Sequence, residues 1–320
     1  MRRLAHFPGV PPCADEVVIS GPDPKPEPAA LIGVDWGTSN LRVMRLAAGG
    51  RILEQRTDPR GAAELTSGDF ASVLKAVAGG WLAEAPVLIC GMAGARGRWR
   101  EVPYSPCPAS LASLAAGLVR PEVGGDVFLV PGVAEMAGGD LSDVMRGEET
   151  QMMGLPGPDG GGWAVAPGTH SKWIEMRRGE ITSFRTFVTG ELFAAVRQGT
   201  ILAGGAAATG EDDAAFRKGV ERGLSEPALS AALFSVRVNL LAGRLSAETA
   251  PDYLSGLLIG AEVAAQAEAV RGERLALVGA ADLSRRYSVA LEIAGLGPVD
   301  VQDAAEITAR GLWRIWEARS

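Results

Sequence analysis

Histidine and cysteine are scarce in this chain. Its 320 residues include two histidines and three cysteines, and the cysteines are widely separated. Such numbers cannot supply a disulfide framework, a CxxC metal site or a histidine-rich zinc site. The sequence therefore argues against a small disulfide-stabilised domain and against a zinc enzyme.

Lysine is also rare, with four residues in the whole chain. None of the four follows a glycine, so the phosphate-binding loop GxxxxGK[ST] is absent and one large class of nucleotide-binding enzymes is excluded. The glycine-rich stretch GMAGARGRW (91–99) does not match the GxGxxG spacing of a dinucleotide-binding fold.

Strong positive charge and long apolar runs are missing as well. The net charge is −7, which gives no support for a nucleic-acid surface. No apolar run reaches the ~18 residues that a membrane span needs, and the amino terminus lacks the apolar segment of a signal peptide. We expect a soluble cytoplasmic protein with neither nucleic acid nor membrane as a partner. Its hydrophobic content of 47% is sufficient for large cores.

The order of predicted elements indicates an α/β fold in two parts. Residues 1–29 carry seven prolines and are interpreted as an extension that need not pack. From about Ala30 onward, short apolar strands alternate with amphipathic helices. The glycine cluster GPDGGG (157–162) is the best candidate for a boundary, which gives domains at 30–156 and 157–320. The terminal helix (304–318) could pack back on the first domain.

Two strand–turn–strand units stand 131 residues apart. VDWGTSNLRVMR aligns with VAPGTHSKWIEM, with Gly37-Thr38 over Gly168-Thr169, and each unit precedes a third strand that ends in Arg-Thr. The pattern is typical of a duplicated architecture with one copy per domain. The alternative is that two unrelated β-hairpins look alike, and the spacing alone does not separate the two.

Asp35 interrupts an otherwise apolar strand just before the first turn. A buried carboxylate without a partner is costly, so Asp35 should be paired, exposed or close to a cation. The following turn is small and polar, so its backbone N–H groups could converge on an anion. Asp35 with Mg²⁺, and Gly37 to Asn40 around phosphate oxygens, would be a coherent site. The alternative is an aspartate that merely opens a tight turn.

Other candidate residues fall in loops and at element ends. Glu148 and Glu149 begin a predicted helix, where acids complement the helix dipole or where one could act as a general base. Close packing or a purine lying against the backbone would each explain the small residues Gly279 and Ala280. Four basic side chains could hold a substrate anion or could be solvated: Arg96, Arg146, His170 and Lys172.

Taken together, these motifs resemble the 2-dehydro-3-deoxygalactonokinase family from about residue 31 to the end. The shared stretches are IGVDWGTSNLR, GMAGARGRW, VMRGEETQ, PGTHSKW, FVTGEL and LSGLLIGAEV, in this order. The resemblance implies two related actin-like ATPase (ribonuclease H-like) domains with ATP in the cleft between them. It also favours the duplication over two unrelated hairpins. One departure from the family pattern is Ala95-Arg96, where Ser-Asn-like residues are expected.

The resemblance further implies transfer of the ATP γ-phosphoryl group to the 6-hydroxyl of 2-dehydro-3-deoxy-D-galactonate, in galactonate catabolism. Asp35 would then hold Mg²⁺, and Glu148 or Glu149 would be the base, with Glu148 preferred. Gly279 and Ala280 would lie near adenosine. Two turns would face the phosphates: Gly37, Thr38, Ser39 and Asn40 in the first, and Gly168 and Thr169 in the second.

Two other functions stay open at this point. A kinase of the same architecture could act on another sugar or sugar acid, because residues lining the cleft decide the acceptor. An assembly or chaperone-like ATPase would use the same cleft as a switch, although no peptide-binding domain follows the ATPase-like region. The sequence does not indicate an oligomeric state.

Overall fold

The computed structural model describes residues 27–122, 124–155, 161–202 and 212–319. Most of the proline-rich extension, residues 1–26, lies outside these ranges, and so does the expected boundary between residues 156 and 157.

The first half of the chain folds mainly into short strands. These strands are β1 (Leu31–Trp36), β2 (Leu41–Leu46), β3 (Ile52–Asp58), β4 (Val87–Gly91), β5 (Ser105–Pro106), β6 (Val127–Leu129), β7 (Val133–Ala137) and β8 (Asp140–Met145). Its helices are α1 (Phe70–Ala78), α2 (Leu111–Ala116) and α3 (Glu148–Gly154). Apolar residues of α1 recur at helical spacing and are buried, as the sequence pattern predicts.

The second half contains longer helices. Its strands are β9 (Gly162–Ala166), β10 (Ser171–Arg177), β11 (Glu180–Phe187), β12 (Leu275–Gly279) and β13 (Val299–Asp303). Its helices are α4 (Thr189–Gly199), α5 (Asp213–Ser225), α6 (Leu229–Leu241), α7 (Ala250–Gln266), α8 (Ala281–Ile293) and α9 (Ala304–Glu317). Among the described helices, none is long and apolar enough to cross a membrane.

Two five-stranded sheets of matching topology organise the molecule. Their orders are β3-β2-β1-β4-β6 and β11-β10-β9-β12-β13. In each sheet the first three strands form an antiparallel meander, and the last two join it in parallel. The duplicated α/β architecture expected from the two strand–turn–strand units is therefore confirmed.

A third, three-stranded sheet was not predicted. It pairs β5, β7 and β8. VFLVPGV, which the sequence analysis treats as one strand, is split between the first sheet (β6) and this third sheet (β7). The division falls at Pro131-Gly132, because proline cannot donate a backbone hydrogen bond to a β-ladder. Gly132 lies so close to β8 that an added Cβ atom would be 2.5 Å from the Met145 carbonyl oxygen.

The last helix packs against the first sheet although it ends the chain. Ile307, Leu312 and Ile315 of α9 are almost fully buried in one cluster with residues of β1 and β2, including Leu31 and Leu46. The same helix crosses α3 at close range. At this crossing Gly311 of α9 lies against the Thr150 carbonyl of α3.

Candidate functional site

The first Gly-Thr turn joins β1 to β2 at one end of the first sheet. The Gly37 N–H donates to the Asn40 carbonyl at 2.9 Å, and the Ala62 N–H donates to the Gly37 carbonyl at 2.9 Å. The side chains of the next three residues are exposed: Thr38, Ser39 and Asn40. A rigid backbone with solvent-facing hydroxyl and amide groups suits anion binding.

The second Gly-Thr turn is built in the same way between β9 and β10. The Glu191 N–H donates to the Thr169 carbonyl at 3.0 Å. A Cβ atom on Gly190 would lie 2.5 Å from the Gly168 carbonyl oxygen, so only glycine permits this approach. Thr169 is exposed.

A glycine braces each turn from the segment that follows the third strand. Gly61 lies against Thr38 and Ser39 of the first turn, where an added Cβ would come within 2.2–2.3 Å of backbone atoms. Gly190 does the same in the second turn. Sequence reasoning missed both glycines, yet each stands four residues after the threonine of an Arg-Thr pair, Thr57 or Thr186, and that repeat was the available signal.

Asp35 lies beside the first turn, near the end of β1. Its carboxylate is 3.7 Å from the Arg42 guanidinium, and 29% of its side chain is exposed. Burial raises the pKa of Asp35, Arg42 opposes that rise, and the charge of Glu148 adds to it. Asp35 and Glu148 are therefore close enough for their charges to interact.

The two adjacent acids at the start of α3 differ sharply. Glu149 is fully buried, and its carboxylate accepts hydrogen bonds from the Gly147 N–H at 2.5 Å and the Thr150 hydroxyl at 2.8 Å. Burial, followed by the neighbouring charge of Glu148, raises the pKa of Glu149 to about 7. Glu148 keeps 25% of its side chain exposed.

Glu148 faces the second half of the molecule. Its Oε1 lies 3.5 Å from the Lys172 Nζ on β10. Its Oε2 is buried and has no hydrogen-bond partner in the part of the chain that the structure describes. Lys172 is itself buried and donates to the His170 carbonyl at 2.9 Å. The Glu148–Lys172 ion pair thus links α3 to the second turn.

The remaining basic candidates are placed differently. Arg146 is half-buried, donates to the Val102 carbonyl at 2.7 Å and stacks over the Tyr104 ring at 4.4 Å. Its Nε and Nη1 atoms are buried without a partner among the described residues. Arg96 has 89% of its side chain exposed and pairs with Glu101.

His170 is turned toward α4 rather than toward the acids. Its Nε2 lies 2.6 Å from the Glu191 carboxylate, and about half of its side chain is exposed. The structure therefore brings Asp35, Glu148 and Lys172 together, and it leaves His170 and Arg96 paired with other residues.

Gly279 is the last residue of β12, and Ala280 follows it directly before α8. A Cβ on Gly279 would approach Pro167 at 3.3 Å and the Ser284 hydroxyl at 3.5 Å, so this junction packs close to the second turn. A cavity of about 210 Å³ opens beside the same turn. Its mostly apolar walls include Gly168, Gly190, Phe193, Leu283 and Tyr287.

The donor set at the first turn suits a hard cation. Within the described ranges, no group of three His, Cys, Asp or Glu side chains could hold a metal ion by itself. Mg²⁺ does not need such a group, since it is commonly held by one or two carboxylates together with water and phosphate oxygens. Asp35, with its raised pKa, has an electrostatic reason to accept a cation.

Comparisons with known proteins show which family the chain resembles. The model of the 2-keto-3-deoxy-galactonokinase family matches residues 35–315. The chain is 36% identical to a 2-dehydro-3-deoxygalactonokinase of Escherichia coli strain K12, over 83% of this chain and 91% of that protein. It is 38% identical to a Rhizobium meliloti protein named "Probable 2-dehydro-3-deoxygalactonokinase", over 88% of this chain and 97% of the relative.

A solved structure is similar over almost the whole molecule. The crystal structure of a Sinorhizobium meliloti protein named for the same activity superposes with a TM-score of 0.79 at 37% identity, covering 90% of this chain and 98% of that one. The resemblance found in the sequence is thereby confirmed, together with the kinase class and the two-part α/β fold. The chain belongs to the 2-keto-3-deoxy-galactonokinase family.

Proposed function

We propose that this protein transfers the γ-phosphoryl group of ATP to the 6-hydroxyl of 2-dehydro-3-deoxy-D-galactonate, in galactonate catabolism and in the cytoplasm, where ATP is supplied. Family membership supports the kinase activity and a sugar-acid acceptor. The observation that carries the proposal is the pair of braced Gly-Thr turns with an acidic helix start beside them.

Glu148 is the better candidate for the general base. Its Oε2 atom is buried without a partner in the described chain, while Lys172 holds the other oxygen. A substrate hydroxyl placed at Oε2 would supply the missing hydrogen bond and could then donate its proton. Both oxygens of Glu149 already accept hydrogen bonds, and Glu149 is fully buried, whereas Glu148 keeps 25% of its side chain exposed, so Glu149 is the less accessible acid for an incoming hydroxyl.

The nucleotide fits between the two turns. Gly37, Thr38, Ser39 and Asn40 would contact the β- and γ-phosphates from one side. Gly168 and Thr169 would contact them from the other side. Asp35 would hold Mg²⁺, which neutralises charge that develops on the phosphate oxygens.

The adenosine would occupy the cavity beside the second turn. Gly279 packs against Pro167, next to the second turn, and Ala280 follows it, while Phe193 lines the cavity and offers an aromatic face. Small residues at the β12–α8 junction allow a flat ring to approach the backbone.

The carboxylate of the sugar acid is assigned to Arg146. Its Nε and Nη1 atoms are buried without partners in the described residues, and an oxygen of a carboxylate could accept a hydrogen bond from either of them. Lys172 would stay with Glu148 and approach the transferred group. Arg96 and His170 are weaker substrate contacts, because each already has an acidic partner.

The proposed phosphoryl transfer forms one bond to phosphorus and breaks another. The 6-oxygen of the acceptor forms a bond to the γ-phosphorus while the bond from that phosphorus to the bridging oxygen of the β-phosphate breaks. The hydroxyl proton passes to Glu148, and ADP leaves with the electron pair of the broken bond on its terminal oxygen.

An ADP-release assay over a panel of sugar acids and neutral sugars tests the substrate. We expect the highest kcat/KM with 2-dehydro-3-deoxygalactonate, in the presence of Mg²⁺. Preference for another sugar acid or a neutral hexose would contradict the assigned acceptor. ATP turnover that no small-molecule acceptor changes would instead point to the assembly ATPase.

Two matched variants test the base. Glu148→Gln should lower kcat by a factor of about 10²–10⁴, the usual contribution of a general base, with ATP binding unchanged. Glu149→Gln makes the same isosteric change one residue away, and it should retain most of the turnover. Equal losses in the two variants would show that the assignment to Glu148 is wrong.

A further inference from the structure

A buried carboxylate lies behind the second turn, away from the acids described above. Glu262 of α7 is 3% exposed. Its Oε1 accepts a hydrogen bond from the Trp173 indole N–H at 2.7 Å. Its Oε2 accepts one from the Tyr287 hydroxyl at 2.8 Å and another from the Thr189 hydroxyl. Burial raises the pKa of Glu262.

These three donors come from three different elements. Trp173 is on β10, Thr189 is the first residue of α4, and Tyr287 is in the middle of α8. The network continues through a 2.7 Å hydrogen bond between the hydroxyls of Tyr287 and Ser171, and Ser171 is the first residue of β10 after the second turn. One side chain therefore ties together the strand, the helix start and the helix that surround this turn.

A carboxylate is well suited to this position. The indole N–H can only donate, and an ionised carboxylate can only accept, at up to four lone-pair sites. Three donors converging on two acceptor oxygens satisfy a group that would otherwise be costly to bury. Within the described chain Glu262 forms no ion pair, so hydrogen bonds alone offset its burial.

The same elements form the walls of the cavity beside the turn. Thr189, Gly190 and Tyr287 line it. Gly190 packs directly on the Gly168 carbonyl, so any movement at the start of α4 shifts the turn as well. Glu262 is not itself among the lining residues.

We infer that Glu262 is a positioning residue for the nucleotide. Glu262 holds the second turn in a fixed position relative to the cavity wall, so that a nucleoside triphosphate can contact the turn and the wall at the same time. Glu262 itself does not touch the nucleotide. This inference rests on the proposed function, specifically on the placement of ATP in this cavity. It extends that placement by assigning part of the ATP affinity to a carboxylate that does not itself line the cavity.

The test compares two buried tyrosines, Tyr287 and Tyr253. Tyr287→Phe removes the hydroxyl that donates to Glu262. Tyr253→Phe removes a hydroxyl of similar burial that bonds Ser235 at 2.8 Å, between α7 and α6 and outside the cavity lining. Both variants keep the ring, and both should lose comparable thermal stability. Glu262→Gln is the third variant. Its amide oxygen can still accept from the Trp173 indole N–H, whereas the Tyr287 and Thr189 hydroxyls would have to accept from the amide NH₂ group instead of donating.

Calorimetric titration with a non-hydrolysable ATP analogue and Mg²⁺ measures affinity without any acceptor. Tyr287→Phe should weaken binding by about tenfold, the equivalent of one charge-assisted hydrogen bond. Glu262→Gln should weaken it by less, and Tyr253→Phe should leave it unchanged. In turnover assays the loss should appear in KM for ATP, with KM for the sugar acid unaltered.

The outcomes separate two failures. If the wild-type protein binds no nucleotide, the proposed function fails and the inference fails with it. If the wild-type protein binds the analogue and Tyr287→Phe binds it as tightly as Tyr253→Phe, the proposed function stands and the positioning role of Glu262 is wrong. Weaker binding of the analogue by Tyr287→Phe than by Tyr253→Phe, at equal thermal stability of the two variants, supports the positioning role.

Discussion

Glu149 is a fully buried acid with no cation in direct contact within the described structure. The raised pKa of about 7 means that the folded protein holds this proton well above the usual value of 4.5. The unfolded chain releases it near 4.5, so between these two values the folded state binds more protons. The free energy of unfolding therefore falls as pH rises through this window, and the loss persists above it.

Glu149→Gln should remove this pH dependence. The wild-type free energy of unfolding, measured by urea titration without Mg²⁺ or nucleotide, should drop by about 3 kcal/mol between pH 4.5 and pH 8 because of this group. The variant should show a smaller drop and should be more stable than wild type at pH 8. The remaining slope would come partly from Asp35, whose pKa is also raised. Parallel pH curves for the two proteins would contradict the assignment of this proton to Glu149.

The sequence named the acidic pair, and the family resemblance preferred Glu148, but the local pattern could not show how the two side chains differ. Adjacent glutamates at a helix start look equivalent in one dimension. The difference arises because α3 turns Glu149 toward Thr150 and the Gly147 N–H, inside the core, and turns Glu148 toward Lys172. The orientation of α3 about its axis depends on its packing against other elements, and a local sequence pattern does not specify that packing.

At the level of elements, α3 and α9 approach one another at two glycines. A Cβ on Gly311 would come 1.8 Å from the Thr150 carbonyl oxygen, and a Cβ on Gly154 would come 1.9 Å from the Ile307 carbonyl oxygen. The backbones are therefore in direct contact. Since α3 begins with the proposed base, this crossing also fixes the position of Glu148 relative to the two sheets.

Gly311→Ala should force the two helices apart. We expect a loss of about 2–4 kcal/mol in the free energy of unfolding, because a methyl group cannot be accommodated between backbones without displacing one of them. A matched control is Gly199→Ala at the exposed end of α4, where an added Cβ meets nothing within 4 Å. That change should be neutral or slightly stabilising. Equal stability of both variants, measured by thermal and urea unfolding, would contradict the tight crossing.

Most elements of the two large sheets were predictable from sequence, and the third sheet was not. Strands such as β1, β4 and β12 are short apolar runs bounded by turn residues, so their pattern is local. β8 (Asp140–Met145) has no such pattern, since its first three residues are exposed. It is held by long-range contacts instead, including two hydrogen bonds from Thr186 to the Asp143 carboxylate.

For the molecule as a whole, the described structure does not support an independent first half. The first sheet needs α9 from the far end of the chain to cover its buried face. Three almost fully buried side chains of α9, Ile307, Leu312 and Ile315, contribute about 1.5–3 kcal/mol each. Their sum is comparable to the entire stability of an ordinary domain. We therefore expect a boundary near residue 156 to separate two sheets without separating two self-sufficient folding units.

A pair of fragments tests this dependence. Residues 27–155 alone should not unfold cooperatively, and they should bind a hydrophobic dye, because the face that α9 covers is exposed. Joining residues 304–319 to the same fragment through a ten-residue Gly/Ser linker should restore a cooperative urea transition. Gly154 touches Ile307, three residues from the start of α9, so a linker with a mean span of about 17 Å is long enough. As a control, a fusion that carries Leu312→Ala should lose several kcal/mol of the regained stability. Cooperative unfolding of residues 27–155 without α9 would show that the first half is self-sufficient after all.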